Sequence, residues 1–344
     1  PSKGEDDGKG FIPIGTEEMP FTGGYDGGGF TIDGLSINRP EESNIGLFGY
    51  VLGSNYKNIV LQDIDIKGLR FVGGLIGISI LDSNQDGNVI IDNVFVNGII
   101  NANKEAGGVI GGGYSTYYGD EYNTGSSLIV DNVRSNIQLT SSTYYYQIFD
   151  VVGGIAGVLA GDNVKMSNCN AISEIISNDV SMGVGGLVGV FTGVSIEIQN
   201  SISTVNISIG NAAQNLGGII GLGTGQSIAL KGLEAAGNIE VNSDDYSMRI
   251  GGLIGQVAVG YYGISDVLAT VNISSLGTEE NEDVGGLVGL LSGIGQLEFS
   301  YAVGNVSGKE AVGGLVGTLT SNGKITNSYA RGHVIGNSQV GGLV

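Results

Sequence analysis

The stretch that decides the fold is "VGGLVG", which runs from Val312 to Gly317. It is apolar throughout and half glycine, so it is too short to cross a bilayer and too rich in glycine for a stable helix. Related motifs begin at Gly46, Gly74, Gly108, Gly154, Gly186, Gly218, Gly252, Gly286 and Gly314, and a shortened copy begins at Gly342. Ten copies at intervals of 28 to 46 residues indicate a chain built from internal repeats.

A second element follows the motif in many units. Its clearest copy is "NSYARGHVIG" from Asn327, and related segments begin at Asn93, Asn168, Asn200 and Ser300. Side chains in this element alternate between two faces, which is typical of a strand, and no stretch shows a capped helical period. Each unit is therefore predicted to form a short apolar strand, a turn and a longer alternating strand.

One unit of about 30 residues cannot bury its apolar face, but stacked units can. The sequence therefore predicts a right-handed parallel β-helix of about nine coils, with neighbouring coils about 4.8 Å apart. The motif glycines are expected where a Cβ atom would clash with the next coil. Residues 1–10 are predicted to be a linker, residues 11–45 an N-terminal cap, and residues 46–344 the repeats, with the last one truncated.

Composition and charge exclude several classes of partner. The chain has 344 residues, 64 glycines, 14 basic residues and a net charge of −20, which argues against binding to nucleic acid or to anionic lipid. The longest uncharged stretch, residues 198–230, is interrupted by Asn, Gln and Ser, so no membrane insertion by this segment is predicted.

The single cysteine and the single histidine offer little for catalysis. Cys169 occupies a position that holds Ser in other repeats, so it is interpreted as a packed thiol. A helical His-Glu-x-x-His zinc site needs two histidines, and this chain has only His333. His333 lies on an alternating strand and is interpreted as a surface residue.

An enzyme remains the alternative, because β-helices also form polysaccharide lyases and glycosidases. Such a site needs two carboxylates, or a carboxylate with a basic partner, in a groove. Asp63 with Asp65, and Asp131 with Arg134, are the pairs that could serve. Nothing in the sequence distinguishes them from solvated strand residues.

Metal binding is a weaker possibility. The strongest Ca²⁺ candidate is the acidic run Glu279, Glu280, Glu282 and Asp283, because Ca²⁺ prefers oxygen ligands. The run matches neither the EF-hand nor the nonapeptide calcium pattern, and a charged turn that keeps a β-rich chain in solution is the favoured interpretation. No cofactor is predicted to be required.

Tyrosines gather in the longest unit, which starts at Gly108 and is 46 residues long. Seven of the 15 tyrosines lie there: Tyr114, Tyr117, Tyr118, Tyr122, Tyr144, Tyr145 and Tyr146. Exposed tyrosines suit recognition of a glycan or a protein, whereas packing of the insertion on the rod is the alternative. These seven residues are the candidate ligand-binding site.

The paired repeat elements resemble the GLUG repeat of bacterial surface proteins, and the resemblance extends from Phe11 to Val344. Such repeats occur in adhesin-like proteins and in non-catalytic regions of IgA-cleaving metalloproteases. The resemblance implies a bacterial cell-surface protein, secreted or anchored in the outer membrane, with no shared catalytic residues. Its expected role is a rigid spacer, or attachment to a host or microbial surface protein or glycan. End-to-end self-association is expected at the truncated C-terminus.

Overall fold

The computed structural model describes residues 8–81, 88–115, 127–141, 150–177, 181–210, 212–242, 247–275, 283–320 and 322–344. Within these ranges the chain forms 32 strands that join one sheet, and every strand pairing is parallel. The described residues contain no helix that could span a bilayer. The predicted all-β parallel β-helix is confirmed.

The strands of the first units end just before the third motif. They are β1 (Tyr25–Asp26), β2 (Thr31–Asp33), β3 (Ser36–Ile45), β4 (Phe48–Leu52), β5 (Ser54–Gly73), β6 (Ile76–Leu81), β7 (Val89–Ala102) and β8 (Ala106–Gly107). The central strands are β9 (Ile110–Ser115), β10 (Ser127–Ser141), β11 (Asp150–Gly153), β12 (Ala156–Ser167), β13 (Asn170–Ser177), β14 (Ser181–Gly185), β15 (Val188–Gln199), β16 (Ile202–Ile209), β17 (Ala213–Gly217), β18 (Ile220–Lys231), β19 (Glu234–Val241) and β20 (Ser247–Gly251). The last strands are β21 (Ile254–Ser265), β22 (Leu268–Ser275), β23 (Asp283–Gly285), β24 (Val288–Glu298), β25 (Tyr301–Ala302), β26 (Val306–Ser307), β27 (Val312–Gly313), β28 (Val316–Leu319), β29 (Gly323–Thr326), β30 (Tyr329–Ala330), β31 (Val334–Ile335) and β32 (Val340–Gly341).

Each central turn of the solenoid consists of three strands, and each strand pairs with its equivalent one turn later. Thus β12 pairs with β15, β13 with β16 and β14 with β17. We call the surface formed by β13, β16, β19, β22, β25, β26 and the C-terminal half of β10 the second face, since it follows the motif strand. About seven turns have full-length strands, fewer than the nine predicted, because the strands β25 to β32 of the last two units shorten to two to four residues.

One apolar core runs along the axis of the solenoid. The residue after the first motif glycine points inward in every complete unit and is at most 5% exposed: Leu47, Leu75, Val109, Ile155, Leu187, Ile219, Leu253, Leu287 and Leu315. Burial of a side chain of this size stabilises the fold by about 1.5–3 kcal/mol relative to exposure. Each of these side chains is completed by the turns above and below, so no unit is stable alone.

The motif glycines lie where the backbone of the next turn approaches most closely. A Cβ atom added at Gly186 would overlap the carbonyl oxygen of Gly218 and the hydroxyl of Ser203. At Gly252 the same atom would overlap the carbonyl oxygen of Gly286 and lie 3.1 Å from the Ala269 Cβ. The expected close approach is therefore confirmed at these positions. This close approach also explains why the residue of the second element that faces the motif glycine is small, namely Ser203 opposite Gly186 and Ala269 opposite Gly252.

A corner with left-handed backbone separates the motif strand from the second face. Its residues have φ between 47° and 64° in successive turns: Asn58, Asn93, Asn132, Asn168, Asn200, Gly232, Asp266, Phe299 and Asn327. Asn, Asp and Gly tolerate this conformation best, so the first Asn of the second element is a corner residue. The amide of Asn93 also donates to the Asn58 Oδ1 at 2.8 Å, which links neighbouring corners.

The N-terminal segment covers the first turns through aromatic contacts. The ring of Phe21 lies 4.8 Å from that of Phe48, and Phe48 lies 5.1 Å from the buried Tyr56. The Phe11 amide donates to the Ser36 carbonyl at 2.8 Å. A cap must cover the end of the core in this way. The predicted boundaries of the linker at residue 10 and of the cap at residue 45 stay predictions.

Candidate functional site

Tyr114 is the one candidate tyrosine among the described residues, and its ring is half-buried. The ring packs edge-on against Phe71, with centroids 5.6 Å apart, and contacts a small apolar cluster that contains Val151, Val158 and Val190. Burial, and the nearby Glu105 carboxylate to a smaller extent, raise the pKa of the Tyr114 phenol. Tyr114 therefore anchors the start of the insertion against the rod.

An ion pair supports this aromatic contact. Arg70 donates to both carboxylate oxygens of Glu105, at 2.7 and 2.8 Å, and its guanidinium lies 4.4 Å from the Phe71 ring centroid. The hydrogen bond to Glu105 raises the pKa of the Arg70 guanidinium. Because Glu105 is only 6% exposed, this bidentate pair satisfies a carboxylate that would otherwise be buried alone.

The other six candidate tyrosines lie outside the described residues. Tyr117, Tyr118 and Tyr122 belong to residues 116–126, which connect β9 to β10. The remaining three, Tyr144 to Tyr146, belong to residues 142–149, which connect β10 to β11. The 15-residue strand β10 separates the two connections, so they begin at different points of one turn. The sequence did not show this separation.

The base of the second connection is held by a buried hydrogen bond. The hydroxyl of Ser141, at the end of β10, donates to the Asp150 Oδ2 at the start of β11, at 2.5 Å. Both residues are fully buried. The two residues that flank 142–149 are therefore held in the core of the solenoid.

Most of the acidic candidate run also lies outside the described residues. Of its four members, only Asp283 is described, and its carboxylate accepts a hydrogen bond from the Thr318 hydroxyl. The Arg249 Nε lies 3.9 Å from the Asp283 Oδ2, while burial raises the pKa of this carboxyl. Among the described residues, no three His, Cys, Asp or Glu side chains form a group suited to a metal ion.

The carboxylates considered for catalysis have structural hydrogen bonds. Asp63 accepts from the Asn97 amide at 3.2 Å, and Asp131 accepts from Ser167 at 2.7 Å and Asn168 at 2.8 Å. Each of these bonds joins one turn to the next. Arg134 begins the part of β10 that lies on the second face, beyond the corner at residue 132. The structure thus gives these carboxylates partners that link turns together.

Cys169 and His333 occupy the environments predicted for them. The Cys169 side chain is 1% exposed, and its backbone N–H donates to the Ser201 hydroxyl of the next turn at 3.1 Å. Burial raises the pKa of the Cys169 thiol to about 12. His333 is exposed, and its backbone N–H donates to the Asn305 Oδ1 at 3.1 Å.

Sequence reasoning did not identify the row of polar side chains on the second face. We call this row the amide column; it consists of Gln138, Glu174, Asn206, Asn238, Asn272 and Asn305. The Asn238 Nδ2 donates to the Asn206 Oδ1 at 3.1 Å, and the Asn272 Nδ2 donates to the Asn238 Oδ1 at 3.3 Å. Aligning the repeats on the second element would have shown the row.

A shallow depression lies beside the start of this column. Ile172, one of its lining residues, is 53% exposed and lies between Asn136 on one turn and Thr204 on the other. Gln138 donates to Glu174 at 3.1 Å along its edge. The depression is open, with amide and hydroxyl groups around an aliphatic side chain, and it suits surface contact better than enclosure of a substrate.

These features define a repeat protein, a parallel β-solenoid in which every unit contributes one turn to a common core. The family model described as "The GLUG motif" matches residues 308–335, and this confirms the resemblance to GLUG-repeat proteins. Halomucin of Haloquadratum walsbyi (strain DSM 16790 / HBSQ001) is 36% identical over 109 residues, which is 30% of this chain. The matched region is 1% of the halomucin length. No solved structure matches the chain.

Proposed function

We propose that the chain is a non-catalytic module of a cell-surface protein, located outside the cell, where it acts as a rigid spacer and in attachment. The observation that carries this proposal is the unbroken stacking of the repeats on a single core, which makes a rod. The GLUG motif and the similarity to halomucin support a surface protein. The partner is a host or microbial surface protein, or a glycan.

A non-catalytic role is supported by how the described titratable groups are used. Asp63 and Asp131 link turns, Glu105 pairs with Arg70, and the Cys169 thiol is buried. General acid–base catalysis needs groups that can reach a bound substrate and exchange protons with it. We therefore favour attachment over the carbohydrate-active alternative, and we propose that no cofactor is required.

Recognition is assigned to the connections at residues 116–126 and 142–149, since the repetition breaks most strongly there. The fold supplies fixed ends for both: Tyr114 packs on Phe71, and Ser141 bonds to Asp150. Tyrosine rings offer an apolar face and a hydroxyl at low entropic cost. Several copies on one cell would convert weak single contacts into avidity.

Antibody labelling of intact cells, combined with an attachment assay, tests this function. We expect the antibody to label intact cells, and we expect cells without the protein to lose attachment to surfaces or to neighbouring cells. In parallel, the purified chain is incubated with acidic and neutral polysaccharides, and the products are sized. Labelling only after cell lysis would contradict the surface location. Shortened polysaccharide products, lost after substitution of Asp63 or Asp131, would show that the carbohydrate-active alternative is correct.

A further inference from the structure

Three asparagines of the chain stand in Asn-x-Ser tripeptides: Asn206 with Ser208, Asn272 with Ser274, and Asn305 with Ser307. The chain has 29 asparagines, and none of the other 26 is followed by Ser or Thr at the second position along. This tripeptide, with any middle residue except Pro, is the acceptor for N-linked oligosaccharides. These three tripeptides are therefore candidate sites for such a modification.

All three tripeptides lie on the second face, and all three asparagines belong to the amide column. Asn206 pairs in register with Asn238, and Asn238 with Asn272. Asn305 follows one turn later, and its backbone N–H donates to the Asn272 Oδ1 at 3.1 Å. The three acceptor side chains are exposed. They therefore form a line along one side of the rod.

The strand geometry presents each tripeptide in the same way. Side chains two residues apart point to the same face of a strand, so each asparagine and its serine face solvent together. The middle residues Ile207, Ile273 and Val306 point into the core and are at most 2% exposed. A sugar attached to the asparagine would thus extend into solvent without disturbing the core.

The amide hydrogen bonds distinguish the three acceptors. Among the described residues, Asn206 and Asn305 use their side chains only as acceptors, from the Asn238 Nδ2 and from the His333 N–H. Their own Nδ2 atoms make no protein hydrogen bond within that part of the chain. Asn272 differs, because its Nδ2 donates to the Asn238 Oδ1 at 3.3 Å.

Spacing along the rod separates the acceptors further. Strand pairing sets a rise of about 4.8 Å per turn, so Asn272 and Asn305 are about 4.8 Å apart. Two oligosaccharides do not fit side by side at that distance. Asn206 and Asn305 are three turns apart, about 14 Å, which leaves room for both.

We propose that Asn206 and Asn305 are sites of N-linked glycosylation and that Asn272 stays in the hydrogen-bonded column. In the reaction, the Nδ2 atom of asparagine forms a bond to the anomeric carbon of a sugar and loses one proton to a base of the transferase. The bond between that carbon and its phosphate oxygen breaks, and a polyprenyl diphosphate leaves. The donor is therefore a polyprenyl diphosphate-linked oligosaccharide. The modification rests on the proposed location outside the cell, because this transfer accompanies export.

Glycans along this line would cover the second face of the rod. A bulky hydrophilic layer would keep that exposed, parallel sheet face from pairing with other molecules. Contact with a partner would then pass to the other faces and to the long connections. The second face would then be the shielded side of the rod, and the proposed attachment would use the remaining surface.

Peptide mass spectrometry of the protein isolated from its own cells tests the proposal. We expect oligosaccharide mass on the peptides that carry Asn206 and Asn305. The matched internal control is Asn238, which occupies the same column but is followed by Glu240, and it should be unmodified. The variants Ser208→Ala and Ser307→Ala should each lose one modification and keep the thermal stability of the wild type.

A second arm separates this proposal from the proposed location. The chain is expressed with an export signal in cells that glycosylate Asn-x-Ser tripeptides, and the same peptides are analysed. Modification of Asn206 and Asn305 there supports the proposal wherever the native protein is found. Bare asparagines in that arm overturn it, as does sugar on Asn272 alone or on the serines. A native protein labelled on the cell surface but unmodified overturns the glycan and leaves the proposed function intact.

Discussion

At the scale of single residues, the corner between the motif strand and the second face shows how the backbone selects side chains. Eight of its nine positions hold Asn, Asp or Gly, which tolerate a left-handed φ. Phe299 is the exception, with φ of 48° and a ring that is 44% exposed. A bulky residue in this region costs roughly 1–3 kcal/mol.

Replacing this residue should therefore stabilise the protein. We expect Phe299→Asn to raise the free energy of unfolding by about 1 kcal/mol, because asparagine relieves the left-handed strain. Urea denaturation measures the change, and Asn200→Phe in an equivalent corner is the control that should lose stability. An unchanged or lower stability of Phe299→Asn would show that burial of the ring outweighs the strain.

The motif glycines allow a second comparison. Gly186→Ala places a Cβ atom against the Gly218 carbonyl and the Ser203 hydroxyl, so we expect a loss of about 1–3 kcal/mol. The larger change Gly186→Val should also split the unfolding transition, since turns couple only to their neighbours. Gly263→Ala is the matched control, because a Cβ at Gly263 would meet nothing within 4 Å. Equal denaturation midpoints for the two alanine variants would contradict the assigned role of Gly186.

The buried thiol gives a prediction for alkaline pH. Burial raises the pKa of Cys169 from 9.0 to about 12, so between these values the unfolded chain releases a proton that the folded chain keeps. Folded protein then binds more protons, and stability falls as pH rises through that window. We expect wild type to lose about 1 kcal/mol relative to Cys169→Ser between about pH 8 and pH 10, measured by urea denaturation. If the free energy of unfolding changes with pH in the same way for both proteins, the pKa of the Cys169 thiol is not raised by folding.

At the scale of elements, the longest unit combines a regular strand with two unusual connections. Strand β10 pairs with β7 on one side and with β12 and β13 on the other, so the solenoid continues through this unit. The tyrosines of residues 116–126 and 142–149 are thus additions to an intact turn. Loops on a repeat scaffold can change without loss of the core.

This arrangement leads to a binding test. Replacing Tyr117, Tyr118 and Tyr145 with Ser should leave the far-ultraviolet circular dichroism and thermal midpoint unchanged and abolish attachment of cells. The control is Tyr261→Ser, which removes a ring that is 65% exposed on β21, far along the chain from both connections. Normal attachment by the triple variant would move the binding site elsewhere, and a large loss of stability would assign these tyrosines to packing.

At the scale of the whole molecule, charge opposes the compact state. The chain carries 34 acidic and 14 basic residues, and its net charge is −20. The salt bridges Lys57–Asp26 and Lys165–Glu197 join side chains that are 33–56% exposed, so they contribute little to stability. Mutual repulsion among carboxylates is therefore the dominant long-range electrostatic effect.

Salt should accordingly stabilise the protein. Raising NaCl from about 10 mM to about 1 M shortens the screening length from about 30 Å to about 3 Å and suppresses this repulsion. We expect the thermal midpoint near neutral pH to rise by several degrees, measured by circular dichroism. Matched concentrations of sucrose, which is uncharged, control for effects of solute. A midpoint that falls with NaCl would show that the ion pairs outweigh the net charge.

The sequence by itself determined the fold class, because its information is periodic. Each motif repeats two glycines around an apolar pair, and only stacking on an equivalent unit buries that pair. The strand order, the inward motif residues and the buried position of Cys169 all follow from this repetition. The match of the GLUG family model to residues 308–335 confirmed the resemblance that these repeats carry.

Only the tertiary structure decided which distant residues meet. The Arg70–Glu105 pair and the amide column depend on the register between turns. That register is set across connections of unequal length, which a local sequence pattern does not describe. Asn206 and Asn305 are 99 residues apart in the chain, yet three turns bring them into one line. A local pattern specifies which side of a strand a residue faces, whereas the neighbours it has there are set by how the turns stack.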